Sequence, residues 1–130
     1  QVRHPADGVV VVQVAGELDL LTTPRLAAVL APQVASTAEV IVLDLSQVDF
    51  LSTAALSHLL WARRHTAYRG QELRLVTGPP CVQRALAIVD LTGQGRFATY
   101  PALAAALSAP IAPTLHPGAA RVAADPNKAT

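Results

Sequence analysis

Glu39–Leu56 reads EVIVLDLSQVDFLSTAAL, and the reading of this stretch decides the fold. Glu39 to Leu45 is a β-branched, almost unbroken apolar run, the pattern of a strand buried on both faces. Val48-Asp49-Phe50-Leu51 extends its far end. Ser52-Thr53 follows as a hydroxyl pair in helix N-cap position. The helix it opens, Ala54 to Tyr68, is the best in the chain, and Gly70 supplies its stop.

The same alternation continues outward. Val9 to Val14 (VVVVQV) is a second two-sided strand, set off by the Ala6-Asp7-Gly8 turn and ended by Gly16. Thr22-Thr23-Pro24 opens a helix with a hydroxyl N-cap and a first-turn proline. That helix carries Leu26, Val29, Leu30 and Val34, and Pro32 inside it predicts a kink or an early end. Leu73 to Thr77 is a further strand. Gly78-Pro79-Pro80 opens a helix with Val82, Leu86 and Val89. Arg96 to Thr99 is a short strand, and Pro101 to Leu107 an Ala-rich final helix. Beyond Ser108 the periodicity stops among prolines and alanines, so residues 109–130 are expected to be a flexible tail.

Strands alternating with helices imply an α/β fold with parallel pairing through right-handed crossovers. The Val9 and Glu39 strands are then parallel neighbours joined by the Pro24 helix. Their carboxyl ends bring Glu17-Leu18-Asp19 and Leu51-Ser52-Thr53 to one sheet edge, where sites in such folds gather.

Composition limits the functional classes. The chain has 130 residues, 52% hydrophobic and 15% charged, with a formal net charge of +1. Its mean hydropathy is +0.37. This suits one domain with a real core and gives no nucleic-acid footprint. No apolar run reaches the roughly 20 residues of a membrane span. No basic–apolar–small leader is read at the amino end, and Cys81 is the single cysteine. The expectation is a cytoplasmic domain.

No catalytic constellation emerges. There is no nucleophile elbow and no phosphate-binding loop. Gly93-Gln94-Gly95 is a lone G-x-G that reads as a turn. His58 and His65 share a helix face, but two turns separate them by about 10 Å, too far for one zinc ion. Cys81, at a helix start, is either a reactive thiol or a small buried one. Asp44 and Asp49 lack a base or metal partner in sequence range, and Asp19 suits a cap or loop brace. No cofactor is implied. The Ser52-Thr53 pair has two readings: a simple cap, or a phosphoacceptor whose charge the helix amino terminus tolerates.

The helix after that pair is two-faced. Leu56, Leu59, Leu60 and Ala67 are expected to meet the sheet. Thr53, Ser57, Trp61, Arg64 and Tyr68 run along the other side. Trp, Tyr and Arg are common interface anchors, although Trp61 equally suits a tuck against a neighbouring helix.

Two segments carry a family resemblance. Gly16-Glu17-Leu18-Asp19-Leu20, with Thr22 or Thr23, Pro24 and Leu26, resembles the first signature of STAS domains. Val48-Asp49-Phe50-Leu51-Ser52-Thr53-Ala54-Ala55-Leu56 resembles the second. The likeness spans roughly residues 2–108, read as a single STAS-like domain 1–108 followed by the 109–130 tail. It implies a mixed sheet of four to five strands, with about four helices packed mainly on one side.

The subgroup it is most similar to is the bacterial anti-sigma factor antagonists. These non-enzymatic proteins bind an anti-sigma factor, a serine/threonine protein kinase of the GHKL type, and so free a sigma factor. Phosphorylation at the start of the second helix breaks the complex. By motif position Thr53 matches the phosphoacceptor and Asp19 the nearby acidic loop residue. The implied partner surface is Asp19, Ser52, Thr53, Ser57, Trp61 and Arg64, with no direct nucleic-acid contact and no membrane insertion. Two positions depart from the group: Ser52 replaces the usual Asp, and Ala55 the usual Gly. Ser52 is thereby a rival acceptor. The departures also fit an alternative, a STAS scaffold or transporter accessory that binds without being phosphorylated.

Overall fold

The computed structural model describes residues 1–91 and 97–110, excluding the side chains of residues 89–91. The expectations for Gly93-Gln94-Gly95, for Arg96 and for the tail from residue 111 lie outside that range. The order is β1 (Val2–Ala6), β2 (Val9–Leu18), α1 (Thr23–Val34), β3 (Val40–Leu51), α2 (Thr53–Tyr68), β4 (Glu72–Val76), α3 (Pro80–Leu91), β5 (Ala98–Tyr100) and α4 (Leu103–Ser108). One mixed sheet runs β1-β2-β3-β4-β5. β1 pairs antiparallel with β2, and every other pairing is parallel. The Val9 and Glu39 runs are thus parallel neighbours, as their patterning predicts.

The two central strands differ in regularity, and this positions the site. Val9 to Gln13 face Val40 to Asp44 without interruption. Ala15 then faces Gln47, and Glu17 faces Phe50, so β3 carries an extra residue at two bulges. Each bulge reverses which face successive side chains take. On β2 the core residues Val10, Val12 and Leu18 keep an even spacing, whereas on β3 they become Leu43, Leu45, Val48 and Leu51. Phe50 is turned out to solvent by the second bulge. Asp44 braces the first: it accepts from Ser46 N at 3.0 Å and Gln13 Nε2 at 3.2 Å.

The main core lies between one sheet face and α1, α2 and α3, with Leu26, Leu30, Leu59, Val82 and Leu86 meeting Val12, Ile41, Leu43 and Leu75. A smaller core on the other face joins Val11, Val40, Val42 and Val76 to Ala106 of α4. Arg74, only 2% exposed, ties that helix down. Its guanidinium donates to Glu72 Oε2 at 2.6 Å, Ala106 O at 2.6 Å and Pro110 O at 2.9 Å. It also lies over the Tyr100 ring, 5.7 Å from the centroid.

Several boundaries differ from the sequence reading. Gly16 does not end β2; the strand passes through it at φ 86°, a conformation that favours glycine, and stops at Leu18. Pro32 does not stop α1, which continues to Val34. Ala28 and Pro32 both face solvent, so water can satisfy the Ala28 carbonyl that lacks a proline N–H. On α2 the buried stripe is Ala55, Leu59, Ala62 and Thr66. Leu56 and Leu60 sit half-buried at its margins, and Ala67 is exposed. β5 and α4 each fall one or two residues later than expected.

Candidate functional site

The sheet's carboxyl edge brings the two signature segments together. Ser52 N donates to Leu18 O at 2.8 Å, joining the end of β2 to the start of α2. Asp19 follows Leu18 and builds the turn beyond it. Its Oδ1 accepts from Leu21 N and Thr22 N, both at 3.0 Å. Its carbonyl accepts from Thr23 N at 2.9 Å and Thr23 Oγ1 at 2.6 Å. A hydroxyl cap was expected at the Thr22-Thr23-Pro24 start of α1, and Thr22 takes the N-cap position. It makes no cap bond, because its hydroxyl turns back and donates to Glu17 O at 2.6 Å. The Thr22 and Leu21 hydrogen bonds hold the Asp19 carboxyl below its usual pKa of 3.8.

At the start of α2 the two hydroxyls separate. Ser52 is the N-cap, extended at φ −80° and ψ 168°, and its Oγ accepts from Ala55 N at 3.2 Å. Thr53 is the first helical residue, and its side chain is exposed. A group added at Thr53 therefore projects into solvent over the helix amino terminus. Ser52 is half-buried with its Oγ engaged by Ala55 N, so a group added there is less accessible than one on Thr53.

The remaining predicted site residues spread along α2. Ser57 is exposed one turn beyond Thr53. Trp61 and Arg64 lie about 12 and 16 Å along the axis from Thr53, at the helical rise of 1.5 Å per residue. Arg64 is exposed. Trp61 is half-buried against the main core and stacked between two histidines. His58 lies 5.0 Å away at 15° and His65 4.4 Å away at 32°. So Asp19, Ser52 and Thr53 form one cluster, Ser57 adjoins it, and Trp61 and Arg64 stand apart.

Cys81 donates its thiol to Asp49 O at 3.1 Å and is half-buried. Burial pushes the Asp44 carboxyl up, but the Ser46 and Gln13 bonds and the nearby Arg3 charge outweigh it, so its pKa falls. Among the described residues no three His, Cys, Asp or Glu side chains converge as a metal site. No helix among them is long and apolar enough to cross a membrane.

Sequence reasoning missed Leu20, Leu21 and Phe50 at this edge, which are 76%, 84% and 50% exposed. The signal was present for the first two, since an apolar pair inside an Asp-led turn has no core to join. A groove of about 250 Å³ adjoins the turn, lined by Val14, Leu18, Leu26 and Val29 with Glu17 and Arg25 at its rim.

Comparison with known proteins places this geometry. The family model for the STAS domain matches residues 3–106. An anti-sigma factor antagonist from Mycobacterium paratuberculosis is 31% identical, with a TM-score of 0.67 over 83% of this chain and 89% of that one. Two more distant structures share the fold. The Bacillus cell-fate determinant SpoIIAA in its phosphorylated form is 16% identical, TM-score 0.64, covering 82% of this chain and 95% of that one. A Thermotoga maritima structure is 18% identical, TM-score 0.72, covering 82% and 90%. A search of the curated proteins found no match. With the family model spanning both signature segments, the chain belongs to the STAS domain family.

Proposed function

We propose that this protein is a cytoplasmic anti-sigma factor antagonist working by partner switching. It binds an anti-sigma factor, a serine/threonine kinase of the GHKL type, and so frees a sigma factor. Phosphorylation of Thr53 by that kinase ends the complex. The carrying observation is the division of labour between the two hydroxyls: Ser52 is committed to the cap, while Thr53 is exposed beside the Asp19 turn. The 31% identity to an anti-sigma factor antagonist supports the partner class.

The physics fits a switch. The first amides of α2 face the site with a partial positive charge, so the fold accommodates an anion there. A phosphate adds close to two negative charges at neutral pH. Repulsion or desolvation costing about 4 kcal/mol at an interface lowers affinity about a thousandfold. The protein then needs no catalytic group of its own.

The test incubates the protein with ATP and each anti-sigma kinase of its source organism, followed by mass spectrometry, with Thr53→Ala and Ser52→Ala in parallel. Phosphate on Thr53, lost in Thr53→Ala and kept in Ser52→Ala, is expected. Tight binding without phosphate retains the antagonist role under another control. Neither phosphate nor binding selects the constitutive STAS scaffold or transporter accessory.

A further inference from the structure

The turn closed by Asp19 presents Leu20 and Leu21 to solvent, 76% and 84% exposed. Nothing in its hydrogen bonding calls for leucine, since the bonds come from Asp19, Thr22, Thr23 and the backbone. Phe50, half-exposed, lies on the neighbouring strand opposite Glu17. Tyr68, Ile88 and Leu107 are exposed too, but each stands singly on a different helix. Scattered exposed apolar residues are ordinary, whereas several gathered at one edge mark a contact surface.

The charged residues named around this patch are mostly acidic. Glu17 and Asp49 are exposed, and Asp19 is held ionised by its hydrogen bonds. Arg25, in the first turn of α1, is the basic neighbour. We infer that Leu20, Leu21 and Phe50 are the apolar anchors for the anti-sigma factor, whose matching surface is an apolar recess rimmed by Lys or Arg. This rests on the anti-sigma reading above. The apolar contacts supply affinity, and the acidic rim steers approach and register. A phosphate on Thr53 carries the sign that a basic rim attracts, so its release of the partner comes from the cost of stripping its water and from its bulk.

Calorimetric titration of the full chain into each purified anti-sigma kinase of the source organism tests this. The forms are wild type, Leu20→Ser/Leu21→Ser, Glu17→Lys/Asp49→Lys, and Ile88→Ser as a control. The leucine pair is expected to lose tenfold or more in affinity with an unchanged melting temperature, since both side chains are already in water. The charge pair slows association and reduces its salt dependence, and Ile88→Ser binds as wild type. Wild-type binding with full affinity in the leucine variant overturns the inference and leaves the antagonist reading standing. No wild-type binding to any kinase overturns that reading itself. Sedimentation velocity adds one outcome: a wild-type dimer that the leucine variant makes monomeric assigns the patch to a second copy and overturns the inference.

Discussion

The Ser52 amide donates to the Leu18 carbonyl at 2.8 Å, and this bond continues the β2–β3 pairing that joins two signature segments far apart in sequence. It sets the Asp19 turn beside the first turn of α2. It also fixes Ser52 as a backbone anchor at its N–H and a cap at its hydroxyl. Thr53 carries neither duty.

Substituting the two hydroxyls therefore separates stability from signalling. Ser52→Ala removes the cap bond to Ala55 N and is expected to cost about 1 kcal/mol. That lowers the melting temperature by roughly 4 °C for a domain of this size. Thr53→Ala, at an exposed first-turn position, leaves it within about 0.5 kcal/mol of wild type. Thermal unfolding followed by circular dichroism reads both. Equal losses would mean that Thr53 shares the cap.

Asp19→Asn tests the turn. The folded carboxyl titrates below 3.8, so its contribution is complete above that pH and fades as pH falls through the folded value. The variant is expected to melt lower than wild type at pH 7, with the two curves converging in strong acid. A constant gap across the range would place the loss in shape rather than charge.

The fold was legible because its signals are local. Two β-branched runs, a capped helix between them and a second helix after Ser52-Thr53 suffice for a parallel α/β core. The bulges of β3 were not legible. Their trace is the three-residue spacing of Leu45, Val48 and Leu51, which breaks the strand period of two and becomes readable only against the even spacing of β2. The α2 interior was misjudged for a related reason. Hydrophobicity favoured Leu56 and Leu60, but the inward stripe set by helical spacing from Leu59 takes Ala55 and Ala62. At the site, Asp19 and the hydroxyl pair were legible through their motifs. Leu20 and Leu21 were missed although their place in an Asp-led turn was a usable signal, whereas Phe50 was not legible, since its exposure follows from the second bulge of β3.

His58 predicts a separate acid sensitivity. Burial lowers its pKa from 6.5, and its Nε2 is enclosed without a hydrogen-bond partner. The unfolded chain therefore takes up a proton more readily than the folded one. Stability is complete above 6.5 and declines as pH falls through that value toward the folded pKa. Melting temperatures between pH 7.5 and 5.5 are expected to fall for wild type and to fall less for His58→Gln. Asp19 and Asp44 act only below 3.8, so they do not contribute in this window.

Arg74 predicts how α4 is held. Its guanidinium joins Glu72 to the carbonyls of Ala106 and Pro110 within a buried layer. Arg74→Met leaves the Glu72 carboxylate without that ion pair and is expected to cost about 3 kcal/mol. Pairing it with Glu72→Gln recovers part of the loss. Hydrogen exchange of the α4 amides accelerates in the single variant. Unchanged exchange would mean that Ala106 and its apolar neighbours hold the helix alone.

Thr53→Glu isolates the effect of charge from that of the kinase. A carboxylate in the first turn of a helix interacts favourably with the exposed amides, by about 0.3–1 kcal/mol. The variant should therefore melt at or slightly above wild type. At the interface the added carboxylate must shed its water on binding. Affinity for the anti-sigma factor is expected to fall tenfold or more, less than for phosphate because the charge is half as large. Thr53→Gln, close in size and neutral, separates the two causes. If it binds as weakly as Thr53→Glu, steric exclusion rather than charge operates at this position; if it binds as wild type, charge is the switch.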